Sequence, residues 1–96
     1  MIKKQFLKNR PVCKVTLTLP ADTGVEKVEV LGDFNNWEPT AMEQLKNGSF
    51  KTVLELEQGN EYQFRYLLNG SAWTNEADAD KFVPNPYFSE NSVVAV

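Results

Sequence analysis

Val28-Glu29-Val30-Leu31-Gly32-Asp33-Phe34-Asn35-Asn36-Trp37 reads as an apolar run ending in a stiff turn. Gly32 frees the backbone there. Asn35 and Asn36 readily take turn conformations or cap them with side-chain hydrogen bonds. Phe34 and Trp37 are three residues apart and need not face the same way. Phe34 is expected to anchor the turn in the core, and Trp37 to stay accessible. A large aromatic held on a stiff turn suits recognition of a flat surface.

The flanking sequence alternates with period two, the signature of half-buried strands. Cys13, Val15, Leu17 and Leu19 share one face, while Lys14, Thr16 and Thr18 share the other. Pro20 to Gly24 is a turn, and Val25 to Leu31 a second strand that either pairs with the first or lies in the opposite sheet. Ala41 to Leu45 is short and ambiguous, and Lys46-Asn47-Gly48-Ser49 is a turn. Phe50, Thr52, Leu54 and Leu56 then line one face of a third strand. After Gln58-Gly59-Asn60, Tyr62, Phe64, Tyr66 and Leu68 line one face of a fourth, with Gln63, Arg65 and Leu67 opposite. Asn69-Gly70 is a hairpin signal because both residues tolerate positive φ. Phe82 to Phe88 contains Pro84 and Pro86, which exclude it from a central strand. Asn91 to Val96 closes the chain as a last strand. Short strands divided by Gly, Asn and Pro turns predict an antiparallel β-sandwich.

Ninety-six residues suit one domain with a modest core. The lone Cys13 has no partner for an internal disulfide and sits in an alternating run, so it reads as a buried structural thiol. There is no histidine, which removes the usual general base and the commonest metal ligand. No phosphate loop is present, and a small sandwich seldom provides the deep cleft and buried acid of a glycosidase. No enzymatic activity, cofactor or metal is therefore expected. Glu76-Ala77-Asp78-Ala79-Asp80 lacks the glycine and closing glutamate of an EF-hand loop, so a solvated acidic loop is expected.

Charge is unevenly spread. Four of the ten basic residues (Lys3, Lys4, Lys8, Arg10) fall in the first ten positions, leaving six against thirteen acids, a net of −7, for the rest. An acidic body argues against nucleic acid as a partner. Residues 1–11 are read as a basic arm, either a solvated tail or a short helix laying Ile2, Phe6 and Leu7 on the body. Residues 12–96 are read as the sandwich. No apolar segment reaches bilayer-spanning length, and the N-terminal charges are not followed by the apolar stretch of a signal peptide. No membrane partner and a cytoplasmic location are expected.

The remaining constellation is aromatic. Trp37 follows one strand and Trp73 follows the Asn69-Gly70 turn. On one side of the fold the two indoles would form a platform for the C–H faces of sugar rings, while polar neighbours bind the hydroxyl rim. Arg65 would supply a planar fork of donors there, and Ser89 and Asn91 hydroxyl and amide groups.

These same residues carry a resemblance. Gly32-Asp33-Phe34-Asn35-Asn36-Trp37, Phe50 to Leu56, Tyr62-Gln63-Phe64-Arg65-Tyr66, Asn69-Gly70 and Trp73 resemble the isoamylase-type glycogen-binding module (carbohydrate-binding module family forty-eight). That module precedes the catalytic barrels of glycogen branching and debranching enzymes, and a similar one occurs in the beta subunit of AMP-activated protein kinase. The resemblance spans roughly Val12 to Val96. It implies an early-set immunoglobulin-like β-sandwich that binds α-1,4-glucan without chemistry. Trp37 and Trp73 match its stacking tryptophans, and Asn91 its hydroxyl-binding asparagine. Arg65 replaces a lysine of the kinase-type module and Ser89 a threonine. Tyr87 falls where that module presses a leucine into the curved glucan, with Phe88 as the other candidate. The implied partners are an α-glucan and an enzyme of glycogen or starch metabolism. The rival reading is a protein-interaction sandwich that has lost the sugar and pairs through an edge strand or the basic arm.

Overall fold

Val12–Leu19 (β2) pairs along its full length with Phe50–Glu57 (β6), from Val12 opposite Glu57 to Leu19 opposite Phe50. This antiparallel pair is the centre of one sheet in the computed structural model, which describes all 96 residues. Ile2–Phe6 (β1) extends the sheet on one side, and the two-residue strand Glu43–Gln44 (β5) on the other.

The second sheet forms around Glu61–Leu68 (β7). Val28–Gly32 (β3) pairs with one edge of β7, and Thr40–Ala41 (β4) lies beyond β3. The other edge of β7 is shared. Its first half pairs with Glu90–Ala95 (β10) and its second half with Ala72–Thr74 (β8). Lys81–Pro84 (β9) closes the sheet outside β10, an edge position that tolerates proline. All pairings are antiparallel, and the protein is an immunoglobulin-like all-β sandwich with a single 3₁₀ turn at Asp33–Asn35. The strands β2 and β3, which the sequence left free to pair, lie in opposite sheets.

The alternation in the sequence is the alternation in burial. Cys13, Val15 and Leu17 of β2, Val28 and Val30 of β3, Phe50 and Leu56 of β6, Phe64 and Tyr66 of β7, and Val94 of β10 form the core. The ambiguous Ala41 to Leu45 stretch is where the chain changes sheets, between β4 and β5. Met42 is buried at that crossing, and its N–H donates to the Val28 carbonyl at 2.9 Å.

Two expectations are corrected by long-range contacts. The first residues form neither a solvated tail nor a helix: they are strand β1, with Ile2 opposite Leu17 and Phe6 opposite Cys13. The free edge of β2 presents unpaired backbone groups, and pairing them outweighs a weak local preference. Two of the arm's cations meet acids of the same chain, Lys4 with Asp80 at 2.8 Å and Arg10 with Glu55 at 3.1 Å. Nor is the acidic loop wholly solvated, since Glu76 is buried. Its carboxylate accepts from the Met1 ammonium (2.9 and 3.0 Å), the Tyr66 hydroxyl (2.8 Å) and the Asp78 N–H (2.9 Å).

Burial alone would push the Glu76 carboxyl up, but these donors outweigh it and hold it below the ordinary carboxylate range. The stabilisation is therefore fully present above the pKa of an unfolded glutamate and is lost as pH falls through the lowered folded value. Tyr66→Phe removes one charge-assisted bond from a buried acceptor. It is expected to cost about 1.5–3 kcal/mol at neutral pH. Urea melts at pH 7 and in acid below both pKa values will check this. The difference between the two proteins should shrink in the acid, where the carboxyl is protonated.

Candidate functional site

On β7, Phe64 and Tyr66 point into the sandwich, so Gln63, Arg65 and Leu67 occupy the outer face of the second sheet. Register places neighbours on that face: Leu31 opposite Arg65, and Trp73 of β8 opposite Leu67. Ser92 lies opposite Phe64 and faces inward, which turns Asn91 outward beside the same strip. The outer face thus gathers residues from β3, β7, β8 and β10.

The Asn69-Gly70 hairpin brings Trp73 there. Both turn residues have positive φ (50° and 72°), and the Ser71 N–H donates to the Leu68 carbonyl at 3.0 Å. The hairpin is also tied to the opposite loop, because Asn69 Oδ1 accepts the N–H groups of Glu26 and Lys27. The Arg65 guanidinium lies over the Trp73 ring, 5.3 Å from its centroid, a cation–π contact that fixes both side chains. Arg65 Nε is buried and has no hydrogen-bond partner. An orphaned buried donor is costly.

Trp37 arrives from the other side. Asn36 and Trp37 both adopt φ of 57°, a left-handed backbone that is unfavourable for a bulky residue. Hydrogen bonds over-determine the turn. The Trp37 N–H donates to the Gly32 carbonyl at 2.9 Å. Asn35 Oδ1 accepts the Gly32 N–H at 2.9 Å, while its Nδ2 donates to Val30 O at 3.0 Å and to Thr40 Oγ1 at 2.9 Å. Phe34 turns inward against Tyr62 and Phe64, with ring centroids 6.4 and 6.0 Å away. Trp37 turns outward and is 36% exposed, against 47% for Trp73. Its indole Nε1–H donates to Asp33 Oδ1 at 2.9 Å, and Asp33 Oδ2 accepts the Gln63 N–H at 2.8 Å. Asp33 therefore fixes the indole to β7.

The reason for Gly32 differs from the one its sequence context suggests. Its φ is −168°, extended backbone open to any residue. What excludes a side chain is crowding: a Cβ would lie 2.6 Å from both the Gln63 carbonyl oxygen and Phe64 Cβ.

The third wall is the loop between β9 and β10. Asn85 N–H donates to the Ser89 carbonyl at 2.9 Å, and Asn85 Oδ1 accepts the N–H groups of Tyr87 (2.9 Å) and Ser89 (3.2 Å). The tight loop leaves Tyr87 82% exposed.

These segments enclose a concavity of about 820 Å³ on the outer face. Trp37, Arg65, Trp73, Tyr87, Ser89 and Asn91 all line it, with Asp33, Gln63, Asn85 and Pro86. Phe88, the alternative to Tyr87, is fully exposed and is not part of the lining. Sequence reasoning missed Asp33, Gln63 and Asn85. Gln63 carried a signal, since it precedes Arg65 by two residues and shares its face. For Asp33 and Asn85 the deciding contacts are made by side chains within or across turns, where period two says nothing. The arrangement offers aromatic surface, amides, a guanidinium and the Asp33 carboxylate.

A family model described as the glycogen recognition site of AMP-activated protein kinase matches residues 13–94. No curated protein matches the chain.

Proposed function

Because the chain belongs to the family of glycogen recognition sites of AMP-activated protein kinase, we propose that it binds α-1,4-glucan chains of the glycogen and starch type non-catalytically. The observation that carries this reading is convergence: two tryptophans, an arginine with an orphaned buried donor and an asparagine, from separate segments, line one concavity. Trp37 and Trp73 stack on glucose rings of a curved chain, whose C–H faces match an indole. Arg65 and Asn91 bind hydroxyl edges, and Tyr87 and Ser89 form the wall against which the chain curves.

The energetics point to a weak, readily reversed contact. Each stacked ring contributes about 1 kcal/mol beyond area burial, by analogy with aromatic pairs. With a few exposed hydrogen bonds, this gives a Kd of roughly micromolar to millimolar. Weak single contacts suit a branched polymer that offers many chain ends, because attachment through several copies multiplies.

Titration with maltoheptaose or β-cyclodextrin, followed by tryptophan emission, is expected to give a saturable change in that range. A flat response at millimolar sugar contradicts the proposal. If the protein then recovered one stoichiometric protein partner that excess maltodextrin did not release, the sandwich would be an interaction domain instead.

A further inference from the structure

Three side-chain amides cross the floor of the concavity, and the orientation of the first dictates the others. Asn85 Oδ1 accepts two main-chain N–H groups, from Tyr87 at 2.9 Å and Ser89 at 3.2 Å. A main-chain N–H only donates, so the end of Asn85 that faces the loop is its oxygen. Asn85 Nδ2 therefore points out of the loop and donates to Asn91 Oδ1 at 3.1 Å. Asn91 must then present its own Nδ2 on the far side, where it donates to Gln63 Oε1 at 3.1 Å. Gln63 is itself held by its N–H on Asp33. With Oε1 engaged, the group Gln63 offers to the concavity is Nε2, a pure donor. Two residues along the same face stands Arg65, whose guanidinium lies over Trp73 and lines the same concavity.

We infer that Gln63 is a further sugar-contacting residue, and that its Nε2 and Arg65 together take two adjacent hydroxyl oxygens of one glucose. We infer also that Asn85 is a positioning residue that fixes the polarity of this contact without touching the ligand. The inference rests on the glucan reading of the concavity. In an α-1,4-linked chain the 2- and 3-hydroxyls are the vicinal pair left free on every residue. Two neighbouring donors match such a pair, provided that neither donor is replaced by an acceptor. Two main-chain N–H groups of the loop decide that, through three amides. The chain of bonds runs on through Asp33 to the Trp37 indole, so loop, floor and indole form one hydrogen-bonded unit.

The test is Asn85→Asp. A carboxylate still accepts from Tyr87 and Ser89, so the loop keeps its bonds, but it cannot donate to Asn91. Asn91 reverses to donate to it, Gln63 reverses in turn, and an oxygen replaces Nε2 in the concavity beside Arg65. Maltoheptaose binding is expected to weaken about tenfold, the worth of one lost hydrogen bond. Made in a Gln63→Ala background, the same substitution is expected to cost clearly less, the remainder being what the reversal of Asn91 itself costs. Unchanged binding in Asn85→Asp, or an equal loss in both backgrounds, overturns the inference. A sugar-free readout separates it from the glucan proposal. Side-chain amide NMR should show the Gln63 NH₂ exchanging freely with water and the Asn91 NH₂ protected, with the Gln63 NH₂ gaining protection in Asn85→Asp. If no protein binds sugar, the glucan proposal fails. In that case an Asn85→Asp protein whose Gln63 amide exchange matched wild type would overturn the positioning role as well.

Discussion

Trp73→Ala is expected to remove measurable glucan binding while leaving the unfolding midpoint near that of the wild type. The two halves of this expectation have separate causes. Trp73 sits on β8, a three-residue strand outside the core, and its side chain is nearly half exposed. No core residue leans on it, so truncation opens no internal cavity. Its role is on the surface, where it offers a flat face and holds the guanidinium of Arg65. Losing the stacking and apolar burial against one glucose should weaken binding about 100-fold, which puts a micromolar-to-millimolar contact out of reach. Electrophoresis through glycogen-containing gels, compared with a urea melt, checks both halves. A variant that unfolds would make Trp73 a structural residue. A variant retarded like the wild type would remove it from the site.

Gly32→Ala is expected to have the largest effect on the fold. The new Cβ would lie 2.6 Å from Gln63 O and Phe64 Cβ and 2.9 Å from Phe34 Cε2. Two of these neighbours cannot swing away: one is backbone, the other the root of a fully buried side chain. Relief requires β3 and β7 to part at the point where the Trp37 turn begins. A cost of about 3 kcal/mol is at the upper end for overpacking and lowers Tm by roughly 12–24 °C for a domain of this size. Gly59→Ala is the control. Gly59 has φ of +84° and open space around its missing Cβ, so that substitution carries backbone strain alone. Gly32→Ala should be clearly the worse of the two, and any folded fraction should bind glucan poorly, because Gly32 O and the Gln63 backbone hold the Trp37 turn.

Gly32 also shows what a linear reading can and cannot reach. That the position needs glycine was legible, but the reason was not, because the atoms that crowd it lie on another strand. Strands β2, β6 and β7 were legible because period-two alternation is local and their inner residues are apolar. Asn69-Gly70 was legible because its signal is a dipeptide. Strand β1 was not: Ile2-Lys3-Lys4-Gln5-Phe6 is too short to separate a period of two from one of 3.6, and an unpaired edge elsewhere recruits it. Glu76 was misread for the same reason, since its partners are the chain's first residue and a tyrosine ten positions upstream. The six residues named for the site line one concavity: Trp37, Arg65, Trp73, Ser89 and Asn91 were legible from their residue types and their places on or beside strands and turns, and Tyr87 from the resemblance alone. Asp33 and Asn85 act through bonds between turns and strands, which no periodicity encodes, whereas Gln63 shares the face of Arg65 by the period of two.

The proposed glucan binding requires both tryptophans to meet one sugar chain. Its most direct test is a ¹⁵N-resolved NMR titration with β-cyclodextrin that follows the two indole N–H signals, of which Trp37 is held by Asp33 in the free protein. Both signals are expected to shift along a single saturation curve, with the same Kd. A curve in which one indole moves and the other stays, or in which neither moves at millimolar sugar, would contradict it.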